Sequence, residues 1–306
     1  MKAFVTGASG FIGAYLVKAL VDDGLEVLCL KRPTSNLEGL EDYVDKVHWV
    51  NITEDWKTSF RDFKPFIVYN LAWNGVAAAD RVVWEKQVSN VALQQELLDL
   101  ALETGCKKFV GTGSQSEYGD FENKIDESYP VNPKTAYAAV KAGSLIIMKS
   151  FCEINNIDWY WFRLFPLFGP HEADRWLIPS LIKNIMTQDH MDLTLGEQKL
   201  AYLYVGECAK AIEMAIHTEG KSGVYNICSD NPTPLKELVT KIRDKVNPDF
   251  HLNFGALPYR YGQCMYMEGD TSALRQNIYN LNTSDFEKRL EETIEYYQNK
   301  YKHGEE

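Results

Sequence analysis

Short apolar runs and longer amphipathic stretches alternate along the first half of the chain. Runs of strand length lie near residues 2–6, 26–30, 47–50, 65–71, 108–112 and 158–165, and apolar positions at helical spacing fill 11–23, 80–104 and 134–154. This alternation predicts an α/β fold, a doubly wound parallel sheet with helices on both faces. Gly24 and Gly105 stand where the first two helices should stop, and glycine suits the left-handed residue that closes a helix. Beyond Gly169-Pro170 the pattern loosens. It predicts a helix near 176–188, a strand near 191–195, a helix from Val205 to His217 and a strand Val224–Cys228 that returns to the main sheet. A helix opened by Pro234 and a charged helix near 283–302 complete the chain. Residues 1–165 with about 200–228 should therefore form one domain, and about 166–199 with 229–306 a smaller, interleaved one.

Composition narrows the class. The chain has 306 residues, 45% of them apolar, and a formal net charge of −11, which argues against a general nucleic-acid binder. Its six cysteines, at 29, 106, 152, 208, 228 and 264, show no C-x-x-C spacing, so neither a disulfide framework nor a metal site is expected. Residue 2 already belongs to the first strand, leaving no room for a cleavable signal, and no apolar run is long enough to span a membrane. A cytoplasmic protein without a membrane partner is the expectation.

The most informative chemistry lies at the first turn. Strand 2–6 runs into Gly7-Ala8-Ser9-Gly10-Phe11-Ile12-Gly13, and a helix follows at once. Glycines let the backbone bend and approach a pyrophosphate, and the N–H groups of the helix N-terminus attract the anion. Gly7, Ser9, Gly10, Phe11, Ile12 and Gly13 are thus assigned to a dinucleotide. The G-x-x-G-x-x-G spacing resembles the extended branch of the short-chain dehydrogenase/reductase superfamily, which implies a Rossmann-type sheet and an NAD(P) cofactor.

The second strand ends in Lys31-Arg32-Pro33. A basic tip can pair with the 2′-phosphate of NADP, whereas an acid there would favour NAD, so NADP is the preferred cofactor and NAD the alternative. Leu71, Ala72 and Trp73 follow the fourth strand at the edge where ligands sit in such sheets, and Trp73 could also wall a sugar pocket. Tyr137 and Lys141, four apart, share one helix face; an ammonium beside a phenol favours the phenolate and lowers its pKa. The same spacing at Tyr296 and Lys300 carries no such context and is expected to be inert. Ser114 and Ser116 follow the fifth strand, with Ser114 preferred as the hydroxyl beside the reacting oxygen. His171 reads as structural.

Taken in order, the glycine turn, Asn90-Val91, the serine segment, Tyr137-x-x-x-Lys141 and Gly169-Pro170 resemble the NAD-dependent epimerase/dehydratase family of nucleotide-sugar enzymes. The resemblance implies that Asn51 and Ile52 face the adenine and that Asn90 belongs to the cofactor site. It also implies that the backbone of Phe165, Pro166 and Leu167 meets the nicotinamide carboxamide, that Ser114, Tyr137 and Lys141 are catalytic, and that Arg260 binds the substrate diphosphate. Departures narrow the reaction. Gln115-Ser116 stand where 4,6-dehydratases of the family carry Asp-Glu, and the related decarboxylases keep a Glu at Ser116. Glu117 is offset by one residue and should face the other way. Pro166 replaces an Asn, and Leu200 an Arg, that usually hold the diphosphate, leaving Arg260 with Arg175 or Lys199. The resulting expectation is NADPH-dependent reduction of a 4-keto (deoxy)sugar nucleotide, with Tyr137 as proton donor. The alternative is an NAD-dependent C4 epimerase; a remote one is a non-catalytic NADP(H) sensor. A homodimer is expected through helices 80–104 and 134–154, using Val88, Leu97, Ala138, Leu145 and Met148.

Overall fold

The structure, a computed structural model, describes residues 1–259 and 263–302. Its strands are β1 (Lys2–Thr6), β2 (Glu26–Lys31), β3 (His48–Asn51), β4 (Ile67–Asn70), β5 (Lys108–Ser114), β6 (Asp158–Leu164), β7 (Leu167–Phe168), β8 (His190–Leu193), β9 (Lys199–Leu200), β10 (Leu203–Tyr204), β11 (Gly223–Ile227), β12 (Thr233–Pro234), β13 (His251–Phe254) and β14 (Tyr266–Met267). Its helices are α1 (Phe11–Asp22), α2 (Trp56–Phe63), α3 (Trp84–Thr104), α4 (Ala136–Ile154), α5 (Leu177–Thr187), α6 (Val205–Glu213), α7 (Leu235–Val246), α8 (Ser272–Asn277) and α9 (Phe286–Lys302).

Seven strands form one parallel sheet in the order β11-β6-β5-β4-β1-β2-β3. The strand order reverses between β1 and β4, and a ligand crevice opens at the carboxyl ends beside such a reversal. This is a Rossmann-type sheet, and the strand expected near Val224 does return to it, as β11 on the edge beside β6. The strands are apolar on both faces because helices cover both. Ala3 and Val5 of β1 pack on one side with Leu16 and Leu20 of α1 and Ile212 of α6. Phe4 faces the other side with Trp56 and Phe60 of α2, Leu97 of α3 and Met148 of α4. A third core lies outside the sheet, where Ile182 of α5, Ile242 of α7 and Leu290, Ile294 and Tyr297 of α9 meet.

Four expectations need correction. The helix read as 80–104 is broken: Asp80–Val82 is a tight 3₁₀ turn, Val83 is extended, and α3 starts at Trp84. The helix read to His217 tightens to 3₁₀ geometry after Glu213. The eight-residue α2 was missed, although Asp55 caps it and Trp56, Phe60 and Phe63 mark one buried face. Of the five residues expected at a dimer face, Leu97, Ala138, Leu145 and Met148 are buried within the chain, and only Val88 is exposed. The first four fill the space between α3, α4 and the sheet, so their apolar character is already used.

Candidate functional site

The glycine turn is specified by backbone contact. Thr6, the last residue of β1, donates from its hydroxyl to Asn70 Oδ1 (2.8 Å) and accepts from the Ala72 N–H (3.1 Å), which joins the ends of β1 and β4. Gly7 has φ +70°, and a Cβ there would lie 2.8 Å from the Ala72 nitrogen. A Cβ on Gly13 would lie 2.0 Å from the Gly7 carbonyl oxygen. The Gly10 N–H donates to that same oxygen (2.9 Å), closing the turn. Gly10 is also the N-cap of α1; it offers no side-chain cap, and no acidic residue stands in the first turn. The N–H groups of Phe11, Ile12 and Gly13 head a helix whose positive end has no side-chain cap and no acid in its first turn. With Ser9 half-buried at its rim, this cradle fits a pyrophosphate.

At the tip of the neighbouring strands, Asn51 donates from Nδ2 to Glu54 Oε1 (2.7 Å), while its buried Oδ1 has no partner among the described residues. An orphaned buried acceptor fits the exocyclic amine of an adenine. Ile52, next to it, is 40% exposed and so presents an open apolar surface. Lys31 holds its ammonium 5.5 Å from the centre of the Trp49 ring, and its charge helps hold the Glu54 carboxyl below the usual range, after the hydrogen bonds from Asn51. Arg32 is exposed, and its N–H donates to Ser35.

Leu71, Ala72 and Trp73 continue from β4 over the same edge. The Trp73 indole donates to Gln87 (2.8 Å), and its ring meets Tyr137 edge to face at 6.0 Å. Asn90 spends its side chain on the loop after β4: Oδ1 accepts from the Asn74 N–H (2.6 Å), and Nδ2 donates to the Asn74 (3.1 Å) and Gln87 (2.9 Å) carbonyls. It acts on this edge through that loop.

Tyr137 and Lys141 lie in the buried first turns of α4, capped by Thr135. Lys141 donates to the Thr112 carbonyl (2.6 Å) and sits 3.6 Å from the centre of the Trp73 ring, against 6.0 Å from that of Tyr137. Burial pulls its pKa down to about 7, opposed by the charge of Glu117. The Tyr137 phenol is pushed up by burial, while the Arg81 charge and a hydrogen bond from Ser114 oppose the rise. The expected depression of Tyr137 by Lys141 is therefore not what this protein shows: desolvation dominates, and the lysine is turned toward a carbonyl and an indole.

Ser114 ends β5. Its Oγ lies 2.7 Å from Ser116 Oγ, and its N–H donates to Glu117 Oε1 (2.8 Å). Glu117 is fully buried and also accepts from Trp161 (3.1 Å) and Arg163 (2.9 Å). It faces into the protein, as its offset implied, and locks the serine turn from behind. Phe165 donates its N–H to Ile227 of β11 (3.1 Å), the Pro166 carbonyl accepts from Leu203 of β10 (2.9 Å), and Leu167 pairs with Leu203 in β7. Lys199 lies exposed on β9 and Arg175 exposed in the loop before α5. Arg260 lies outside the described residues.

One residue at the site carried no usable sequence signal. Arg81, in the 3₁₀ turn before α3, stands over Tyr137, with its guanidinium carbon 4.9 Å from the ring centre. No motif marks it; only the tertiary fold brings this loop over α4. The second Tyr-x-x-x-Lys pair is also engaged. Tyr296 hydrogen-bonds His171 Nδ1 (3.0 Å) and Glu38 (3.3 Å), and Lys300 reaches Asp174 (3.4 Å). That pair fastens α9 to the loop after β7. Among the described residues, one His/carboxylate cluster (Asp23, Glu213 and His217) gathers at the far end of α1, where Lys210 also pairs with Glu213 at 2.6 Å.

Known proteins resemble this chain in sequence and fold. The sequence profile of the NAD dependent epimerase/dehydratase family matches residues 3–228. The dTDP-6-deoxy-L-talose 4-dehydrogenase (NAD(+)) of Aggregatibacter actinomycetemcomitans is 24% identical over 263 residues, 82% of this chain and 94% of that protein. The CDP-abequose synthase of Salmonella muenchen is 23% identical over 276 residues, 89% of this chain and 90% of its own. A solved UDP-N-acetylglucosamine 4-epimerase from Methanobrevibacter ruminantium M1, in complex with UDP-N-acetylmuramic acid, superimposes with a TM-score of 0.88 at 25% identity, covering 98% of each chain. With three-quarters of its length inside the family profile and the glycine turn built at the sheet's reversal point, the chain belongs to the NAD-dependent epimerase/dehydratase family.

Proposed function

We propose that the chain inverts C4 of the hexose in a nucleotide-diphosphate sugar, oxidising and re-reducing one carbon with NAD(H) retained. The observation that carries this reading is the join between the glycine turn and Tyr137: Gly7 packs on Ala72, and Trp73, the next residue, packs on Tyr137. When bound, NAD supplies the acceptor and donor of the hydride. Tyr137 exchanges the proton of the C4 oxygen, its phenolate favoured against burial by the Arg81 charge and the Ser114 hydrogen bond; Ser114 holds the same oxygen, and Lys141 orients the ribose side of the pocket. Gln115 and Ser116 offer no acid or base for expelling a neighbouring hydroxyl, so elimination is disfavoured. Lys31 lies over the Trp49 ring and its charge favours the Glu54 carboxylate, which weakens the case for a 2′-phosphate.

A second reading is net reduction of a 4-keto sugar nucleotide with NADPH: the relative named as a 4-dehydrogenase, whose name specifies NAD(+), supports oxidoreduction at C4, and only the exposed Arg32 favours NADPH. Purified protein is incubated with nucleotide hexoses and no added cofactor, and with 4-keto sugar nucleotides plus NADPH or NADH. C4-inverted product in the first arm supports the epimerase. Cofactor oxidation confined to the second arm supports the reductase. Activity in neither arm sinks both. For the dimer, the exposed apolar residues of α3 and α4 are Trp84, Val88, Leu102, Ile146, Ile147 and Ile154, and these replace the four buried ones as its face.

A further inference from the structure

We propose that Arg81 is an oxyanion-binding residue of the hexose pocket, taking a carboxylate on the sugar or a phosphate of the diphosphate; this rests on the C4-oxidoreductase reading above. Arg81 lies between the end of β4 and the start of α3. Its Nε donates to the Val76 carbonyl (2.9 Å), which fixes the stem of the fork. The guanidinium carbon lies 4.9 Å from the centre of the Tyr137 ring and 5.7 Å from that of Trp176. Two aromatic faces thus hold its plane beside the phenol assigned to proton transfer.

Among the described residues, the two terminal Nη groups have no hydrogen bond and no ion pair. The neighbouring acid, Asp80, is taken by Lys86 at 2.8 Å. A half-buried guanidinium without a counter-ion is costly, and its free edge presents two parallel donors matched to two oxygens of one anion. The helix behind it acts in the same sense. Trp176 is the N-cap of α5, which has no side-chain cap and no acidic residue in its first turn.

The test uses cofactor-loaded full-length protein: wild type, Arg81→Gln and Arg81→Lys. Binding of UDP, UDP-glucose and UDP-glucuronate, and of the matching thymidine nucleotides, is measured calorimetrically. Binding is read independently of turnover, so an inactive wild type removes the C4 reading while leaving this result standing. The expected outcome is a loss of about 10–100-fold in Arg81→Gln, partly restored in Arg81→Lys. A loss confined to the glucuronate nucleotide assigns the sugar carboxylate. An equal loss for all ligands, UDP included, assigns the phosphate. Equal binding by wild type and Arg81→Gln for every probe, including no measurable binding by either, overturns the proposal. Unchanged cofactor titration in the variants checks that the fold is intact.

Discussion

Around the glycine turn, atoms of the main chain hold one another: Gly13 against the Gly7 carbonyl, Gly7 against the Ala72 nitrogen, and the Thr6 hydroxyl between β1 and β4. Beyond Phe165, strands β7, β9, β10, β12 and β14 are two residues long, and side chains do the fastening. Tyr297 donates to the Glu172 carbonyl (2.7 Å), and Tyr296 reaches His171. Each region also holds an ionisable group that desolvation shifts, of opposite kind. Lys141 is pulled down to about 7 and Glu172 is pushed up to about 8, both chiefly by desolvation. The contrast teaches that geometry held by the main chain tolerates few sequences, whereas geometry held by side chains can be reached by many.

The sharpest way to break that contrast is at Glu117, where a side chain supports the backbone-defined half. Glu117→Ala leaves Arg163 buried and unpaired and frees the Ser114 N–H, so stability should fall by about 3–5 kcal/mol. Urea unfolding measures it, and a loss below 1 kcal/mol, taken roughly as the scale of an exposed pair, would mean the network is dispensable. Next is Gly13→Ala. The added carbon cannot coexist with the Gly7 carbonyl, so the turn must open, at about 1–3 kcal/mol, and cofactor binding should be lost. Wild-type cofactor titration by this variant would show that the cradle does not need its closed form.

These two desolvated groups give opposite pH slopes. A carboxyl raised in the folded state binds more protons folded than unfolded, so the Glu172 contribution is full below about 4.5 and is lost as pH rises through about 8. A lysine lowered in the folded state binds fewer, so the Lys141 contribution grows as pH rises from about 7 toward 10.5. Stability measured across this range should fall less steeply with pH in Glu172→Gln and rise less steeply in Lys141→Met. Unchanged slopes would place both groups in water. The smallest effect is expected at Tyr296→Phe, which removes the His171 and Glu38 contacts for about 0.5–1.5 kcal/mol and leaves turnover unchanged. A turnover loss would tie the α9 contact to the reacting site.

The same contrast decides what could be read in advance. The six leading strands, the β11 return and the glycine turn were legible because apolar period and glycine spacing are local signals. Helix α2 hid because eight residues hold too little periodicity, although its Trp56-x-x-x-Phe60 pair was visible. The break at Val83 and strand β13, which pairs with β8 from 61 residues away, are set by packing. The spacing of Tyr137 and Lys141 was legible, but the direction of the ammonium depends on Trp73, which arrives from the loop after β4. Arg81 was invisible for the same reason.

The position of β11 has a consequence for how such a molecule can be reshaped. The chain leaves the sheet after β6, builds β7 through β10, and comes back to lay down β11 before leaving again. Replacing the outer region with that of a relative therefore takes two joints, and each must preserve the register of β11 on β6. A single crossover would exchange the edge strand as well, so a foreign β11 would have to pair with this chain's β6. Diversification of what the outer region accepts is thereby channelled into point changes within loops, while wholesale exchange carries the burden of rebuilding the sheet.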